Sequence, residues 1–363
     1  MKRRSSPFRN TRPLVLGASG FIGYWVARAL RAQGAQVICA VRSVEGAERL
    51  ARESLGTVIV RRDLGALDEL AEWIPAVRPT MVFNLAGHGV DRGERDDALA
   101  DRLNHRMVEA LARVVANTRR DKWGGVRLIH VGSAQEYGTT GGTLHENAPC
   151  APTTPYGRTK LAGTQALQRV SDELGLECCT ARLFTVFGPG EHAGRLLPTL
   201  MAAADADGVI PLSAGTQRRD FAYVEDVAEG LLRLAVSDVA RGAVVNLASG
   251  GLHSVREFVE TASDVLGIPR ARLGFGHVPS RSDEMAHDPV PVTLLRTLTR
   301  WAPDDDIASG VARTMARASG VVTRHTRFGR PQSAAQGRRG AQGRSRLPNV
   351  TRRVPAAPRS CAR

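Results

Sequence analysis

Pro13-Leu-Val-Leu-Gly17-Ala-Ser19-Gly20-Phe21-Ile22-Gly23 is the stretch on which the reading of this chain turns. An apolar run ending in glycines spaced by three, followed by an amphipathic segment up to Gly34, spells a strand, a tight turn and a helix. Bare glycines let a backbone approach a pyrophosphate, and the helix N-terminus turns unpaired N–H groups toward the anion. The stretch therefore reads as a dinucleotide cradle, with Gly17, Ser19, Gly20, Phe21, Ile22 and Gly23 at the cofactor. Its G-x-x-G-x-x-G spacing differs from the usual G-x-G-x-x-G, and a structural turn is the competing reading.

Outward from the cradle, apolar strands are expected at 36–41, 57–61, 81–85, 126–131 and 176–184. Between them lie amphipathic segments, among them a long helix over 97–117 with Leu99, Leu103, Met107, Leu111 and Val114 at helical spacing. Regular alternation of strand and helix implies an α/β fold, a Rossmann-type doubly wound parallel sheet with helices on both faces. Ligands of such sheets gather at the carboxyl ends of the strands. Asp63 and Leu64 follow the third strand, with Asp63 offering a carboxylate to an adenine. Leu85, Ala86 and Gly87 follow the fourth, and Ser133 the fifth, so all of these face one mouth.

The stretch 156–160, Tyr-Gly-Arg-Thr-Lys, supplies a catalytic candidate. Residues four apart on a helix share a face, so the Lys160 ammonium is expected beneath the Tyr156 phenol, favouring its ionised form. Bringing a phenol from about 10 to roughly 7 takes about 4 kcal/mol of differential stabilisation, which a cation and a bound cofactor together supply. An incidental Tyr and Lys on one helix is the plain alternative, and the company of Ser133 and the glycines argues against it.

From about residue 188 the pattern shortens, beginning with Gly188-Pro189-Gly190, and a smaller C-terminal lobe is expected. Ser254 and Glu257 form a capping box ahead of an apolar helical pattern that ends at Gly267. Arg219 in this lobe is a candidate planar fork for a diphosphate, with a surface role equally open. The chain thus divides into a basic disordered N-terminus at 1–12, a cofactor domain at 13–187, a mainly substrate-binding lobe at 188–319 and a basic disordered tail at 320–363.

The net charge of +14 on 363 residues suggests a nucleic-acid binder until it is located. Residues 1–12 hold five basic side chains and residues 320–363 hold eleven arginines, neither with an acid, which leaves −2 for the middle. A nearly neutral body without basic-aromatic interleaving argues against nucleic acid as the partner. Cysteines at 39, 150, 178, 179 and 361 form no C-x-x-C pair, so neither a zinc site nor a disulfide framework is implied, and a reducing cytoplasm fits. No apolar run is long enough to span a membrane.

With these pieces together the chain resembles the extended short-chain dehydrogenase/reductases, the NAD(P)-dependent sugar-nucleotide epimerase/dehydratase family, over roughly residues 13–314. The matching motifs are the glycines, Asp63, Asn84-Leu-Ala-Gly87, Ser133 with Tyr156 and Lys160, and Arg182-Leu-Phe-Thr-Val-Phe-Gly-Pro189. The resemblance implies hydride exchange between a nicotinamide and a sugar carbon, most often the fourth. Tyr156 would pass the proton, Ser133 hold the reacting oxygen and Lys160 orient the ribose. It implies a nucleoside-diphosphate sugar met by Thr185, Arg219 and Arg281, and a homodimer through the Tyr156 helix and the one before it. Thr185 stands where the family often has asparagine, and Ser-Asp follows Arg281 where Pro-Gly is usual.

Two positions narrow the chemistry. Val41-Arg42-Ser43 lacks the acid that holds the ribose of NAD, and Arg42 suits a 2′-phosphate, so NADP is the expected cofactor with NAD as the alternative. Relatives that dehydrate sugars carry Asp-Glu after the catalytic hydroxyl, whereas this chain has Ala134 and Gln135. The expectation is therefore reduction of a nucleotide-linked 4-keto sugar, then 4-epimerisation, with dehydration behind both. A binding protein that kept the fold and lost turnover is the alternative of another class.

Overall fold

Strands that are apolar on both faces can only be satisfied inside a sheet covered on both sides, and parallel strands need a crossover helix between them. The computed structural model describes residues 6–90, 93–94, 96–118, 123–279 and 284–318. The first half of the chain runs β1 (Pro13–Leu16), α1 (Phe21–Ala32), β2 (Ile38–Val41), α2 (Val44–Arg52), β3 (Val58–Arg61), α3 (Leu67–Val77) and β4 (Met81–Asn84). It continues through α4 (Asp97–Asp101), a π-helical segment (Arg102–Arg106), α5 (Met107–Asn117), β5 (Leu128–Ser133), α6 (Pro155–Leu174) and β6 (Cys178–Leu183).

The second half holds β7 (Thr185–Phe187), α7 (Leu196–Ala204), β8 (Ile210–Leu212), β9 (Arg218–Arg219), β10 (Phe221–Tyr223), α8 (Val224–Ala235) and β11 (Ala243–Leu247). After these come β12 (His253–Ser254), α9 (Val255–Leu266), β13 (Leu273–Phe275), α10 (Thr293–Thr299) and α11 (Ile307–Ala318).

Seven parallel strands form the central sheet in the order β11-β6-β5-β4-β1-β2-β3. The reversal of order between β1 and β4 is the switch point at which such sheets open a crevice. Strands β1, β2, β4 and β6 are buried along their whole length. Burying each Leu, Ile, Val or Phe there contributes about 1.5–3 kcal/mol before conformational entropy is subtracted. Cys178 and Cys179 are core fillers in β6.

Strand β11 was not anticipated from the sequence, whereas the helical run expected from Glu225 is α8. The chain leaves the sheet after β6, builds part of the small lobe, and returns: α8 packs against α1 and β11 becomes the edge strand beside β6. The small lobe has its own core of Phe187, Leu200, Phe221 and Phe258, with the rings of Phe221 and Phe258 stacked at 4.4 Å. The capping box at Ser254 and Glu257 forms as expected, each side chain accepting the other's backbone N–H.

Two expectations need correction. Residues 6–12, expected as part of a disordered end, are built into the fold, because Phe8 is buried against the Trp123 ring and the Arg12 guanidinium donates to the Val77 carbonyl at 2.9 Å. A large apolar side chain outweighs the basic company it keeps. The helix expected over 97–117 is interrupted by the π-helical turn at Arg102–Arg106, which swings Asn104 inward to full burial. The tail expected at 320–363 lies outside the described residues.

Candidate active site

Helix α6 starts cleanly because the Thr154 hydroxyl accepts the Gly157 N–H at 3.0 Å and Pro155 occupies its first turn, where no backbone N–H is needed. It stops at Gly175, whose φ of +66° is a left-handed cap. The buried face carries Gly157, Lys160, Thr164, Leu167 and Ser171 at helical spacing, so Lys160 is driven inward and is only 3% exposed. Its ammonium donates to the Val131 carbonyl of β5 at 2.7 Å. Burial lowers its pKa to about 8, against the pull of Glu136, which raises it.

Tyr156 is pushed up to about 12, first by burial, with Ser133 and Arg195 lowering it and Glu136 and Glu94 raising it. Lys160 is not among the groups that move the phenol most. The protein by itself keeps Tyr156 protonated, which suits a proton donor.

Ser133 closes β5, 9% exposed, and its position is fixed from behind. The fully buried Glu136 carboxylate accepts the Ser133 N–H at 2.8 Å, the Thr164 hydroxyl at 3.1 Å and the Arg182 Nε–H at 2.8 Å. Gly132 makes room for it, since a Cβ there would lie 2.6 Å from the carboxylate. Arg182 also lies over the Tyr137 ring at 4.5 Å and donates to the Glu146 carbonyl. This ion pair was not found from the sequence, although Arg182 was quoted for its strand; nothing in the spacing reveals that residues 46 apart meet.

One cavity of about 400 Å³ gathers Gly17, Gly20, Phe21, Ile22, Gly23, Leu85, Ala86, Gly87, Ser133, Tyr156, Lys160, Thr185 and Arg219. The glycine end fits a dinucleotide. Helix α1 begins at Gly20 with no side-chain cap and no acid in its first turn, so its amide donors are left for a ligand. A Cβ on Gly23 would fall 2.1 Å from the Gly17 oxygen, and Gly17 itself holds φ +75°, so the turn admits only glycine at those places. Ala134 and Gln135 line the cavity too, with Gln135 accepting from the Thr154 hydroxyl.

Ser19, Arg42, Asp63 and Leu64 lie outside this lining. Arg42 is exposed at the end of β2, and the Asp63 carboxylate accepts the Gly65 N–H at 2.9 Å, shaping the turn after β3. Leu64 packs into the apolar layer under the sheet. Arg219 is bound by Glu284 at 2.6 Å, so its fork is already engaged. Arg281 lies outside the described residues. Residues that the sequence reading missed on the wall are His88, Glu94, Glu191, Arg195 and His287. Among the described residues there is no cluster able to hold a metal ion and no helix long and apolar enough to cross a membrane.

The buried His130 of β5 gives a stability test. Burial, then the nearby Lys160 charge, hold its pKa well below the ordinary value. The folded state therefore refuses a proton that the unfolded state accepts below about pH 6.5. Stability should decline as pH falls from about 6.5 toward 5.5, with a slope approaching 1.4 kcal/mol per pH unit from this group. Urea midpoints across that range should show the decline, and a His130→Gln protein with an equally steep slope would assign it elsewhere.

The sequence profile described as the NAD dependent epimerase/dehydratase family matches residues 13–248, from the first residue of β1 to one residue past β11. The chain belongs to the NAD dependent epimerase/dehydratase family. A dTDP-6-deoxy-L-talose 4-dehydrogenase (NAD(P)(+)) of Kitasatospora kifunensis is 30% identical over 305 residues, covering 80% of this chain and 91% of that one. A UDP-glucose 4-epimerase of Mycolicibacterium smegmatis is 26% identical over 324 residues, 84% of this chain and 97% of the epimerase. The crystal structure of a UDP-glucuronic acid 4-epimerase from Bacillus cereus, in complex with UDP-glucuronic acid and NAD, superposes with a TM-score of 0.74. It is 21% identical and covers 86% of this chain and all of that one, which supports the family's shared fold.

Proposed function

We propose that this family member is an NADP-dependent oxidoreductase that acts at C4 of a nucleoside-diphosphate sugar and reduces a nucleotide-linked 4-keto sugar. The observation that carries the reading is the meeting of Ser133, Tyr156 and Lys160 on the cavity that starts at the glycine cradle, with Ala134 and Gln135 beside them. Tyr156, half-buried and protonated, donates to the C4 oxygen as that carbon is reduced. Ser133, anchored by Glu136, accepts or donates a hydrogen bond to the same oxygen. Lys160, beside Gly87 where a Cβ would lie 3.7 Å from its nitrogen, meets the ribose hydroxyls. The nicotinamide, when bound, supplies the hydride. Arg219 and Thr185 sit toward the small lobe, where a diphosphate would compete with Glu284 for the guanidinium.

Ala134 and Gln135 carry no proton to exchange at neutral pH, so elimination of water lacks its acid and base. The Kitasatospora relative is named for oxidation at a sugar's fourth position, which run backward is reduction of a 4-ketone. The epimerase relative, matched over nearly its whole length, keeps 4-epimerisation as the second reading. Purified protein given a dTDP-linked 4-keto-6-deoxy sugar and NADPH should consume cofactor stoichiometrically. Inversion of a 4-hydroxy sugar without net consumption would establish the epimerase instead.

The cofactor choice rests on Arg42 and on Arg61, which the sheet register sets beside Val41 at the end of the neighbouring strand. Two cations at one strand edge suit a 2′-phosphate. Arg42→Ala should weaken NADP binding by roughly 10-fold, the worth of one charge-assisted hydrogen bond, and leave NAD unchanged. Equal losses for both cofactors in fluorescence titrations would remove Arg42 from cofactor choice.

A further inference from the structure

Ser133 and Tyr156 come from different elements, and Gln135 joins the two. On the Ser133 side, the Gln135 N–H donates to the Ser133 hydroxyl oxygen at 3.2 Å, while Glu136 takes the Ser133 N–H. A hydroxyl has one hydrogen to give, so Ser133, accepting from Gln135, keeps that hydrogen for a reacting oxygen. On the Tyr156 side, the Thr154 hydroxyl accepts the Gly157 N–H at 3.0 Å and donates its own hydrogen to Gln135 Oε1 at 3.1 Å. The first turn of α6 also rests on the Gln135 main chain, since a Cβ on Gly157 would lie 2.4 Å from the Gln135 carbonyl oxygen. Tyr156 thus stands between two residues, Thr154 and Gly157, that are both seated on Gln135.

The same turn is held separately from another direction. The Thr159 hydroxyl donates to the Tyr156 carbonyl at 3.1 Å and accepts from the Asn104 amide at 3.0 Å. That amide accepts the His88 N–H at 2.9 Å and donates to the His88 carbonyl at 2.8 Å, so it is fixed in turn. These bonds hold α6 against the π-helical segment, and the Gln135 side chain ties it to the end of β5. We propose that Gln135 is a positioning residue: by receiving the Thr154 hydroxyl, its carboxamide holds the Ser133 hydroxyl and the Tyr156 phenol at the separation from which both reach one substrate oxygen. A hydrogen bond from Ser133 is among the influences that lower the Tyr156 pKa, which supports their nearness. Small displacements of reacting groups cost rate rather than binding, so the tie acts on the chemical step. The assignment rests on the roles given to Ser133 and Tyr156 above, which reduction and inversion at C4 share.

The test compares variants in kcat and in KM for a dTDP-linked 4-keto-6-deoxy sugar with NADPH. Gln135→Met keeps the length of the side chain and removes its acceptor, and kcat should fall about 3- to 10-fold, the worth of one hydrogen bond, with KM for the sugar within about 2-fold. Gln135→Glu, which keeps an oxygen at the same reach, should return most of that loss and shows that the turn remains folded. In a Thr154→Val background, where the tie is already absent, adding Gln135→Met should cost nothing further. An unchanged kcat in Gln135→Met, a raised KM at intact kcat, which would mean a direct contact with the sugar, or losses that add in the double variant would each overturn the proposal. Inversion of a 4-hydroxy sugar without net NADPH consumption overturns the reductive reading alone, because the same comparison is then read on inversion. Turnover of neither sugar by the unaltered protein overturns both.

Discussion

Tyr156→Phe should lower turnover by about 10²- to 10⁴-fold while the affinity for NADP changes little. The phenol oxygen is the only part removed, and the glycine turn that lines the same cavity is left intact. With burial raising this phenol to about 12, Tyr156 holds its proton, which suits the donor role proposed above. Single-turnover measurements with NADPH separate the two effects: hydride transfer should be slowed in the variant and binding should not. Retention of most of the rate would take Tyr156 out of the mechanism.

The second large effect concerns the support behind Ser133. Arg182→Met leaves the Glu136 carboxylate buried without its cation, and breaking such a pair from one side costs about 3–5 kcal/mol. Urea unfolding should register that loss. Adding Glu136→Leu should return much of it, because an apolar pair of similar volume avoids the uncompensated charge. Turnover should not recover in the double variant, since the Ser133 N–H then has no carboxylate to hold it. A loss below about 1 kcal/mol in the single variant would mean that the carboxylate is protonated or rehydrated at little cost.

What could be read from the sequence was what lies in a short window. The glycine turn, the strand ends that carry Asp63, Gly87 and Ser133, and the shared helical face of Tyr156 and Lys160 all depend on neighbours a few residues apart. Strand β11 was invisible because its five residues join β6 across some sixty residues of intervening chain, and Asn246 breaks a short apolar run. The Glu136 and Arg182 pair was invisible for the same reason. The π-helical turn leaves no trace in apolar spacing, because it arises from what Asn104 bonds to rather than from which residues are apolar. Helical spacing says which face the Lys160 side chain is on but not which acceptor it reaches, here the Val131 carbonyl.

The return of the chain to the sheet has a consequence for how the protein is made. A ribosome delivering residues in order produces β1 through β6 early, yet the outer side of β6 stays unpaired until Ala243–Leu247 emerges. During that interval the nascent protein presents a bare strand edge and, for want of α8, an uncovered face of α1. The small lobe's first strands and helix α7 are synthesised in that gap. The two lobes therefore mature together, and the cavity between β4, β5 and α6 acquires its Thr185 and Arg219 wall in the same stretch of synthesis that seals the sheet.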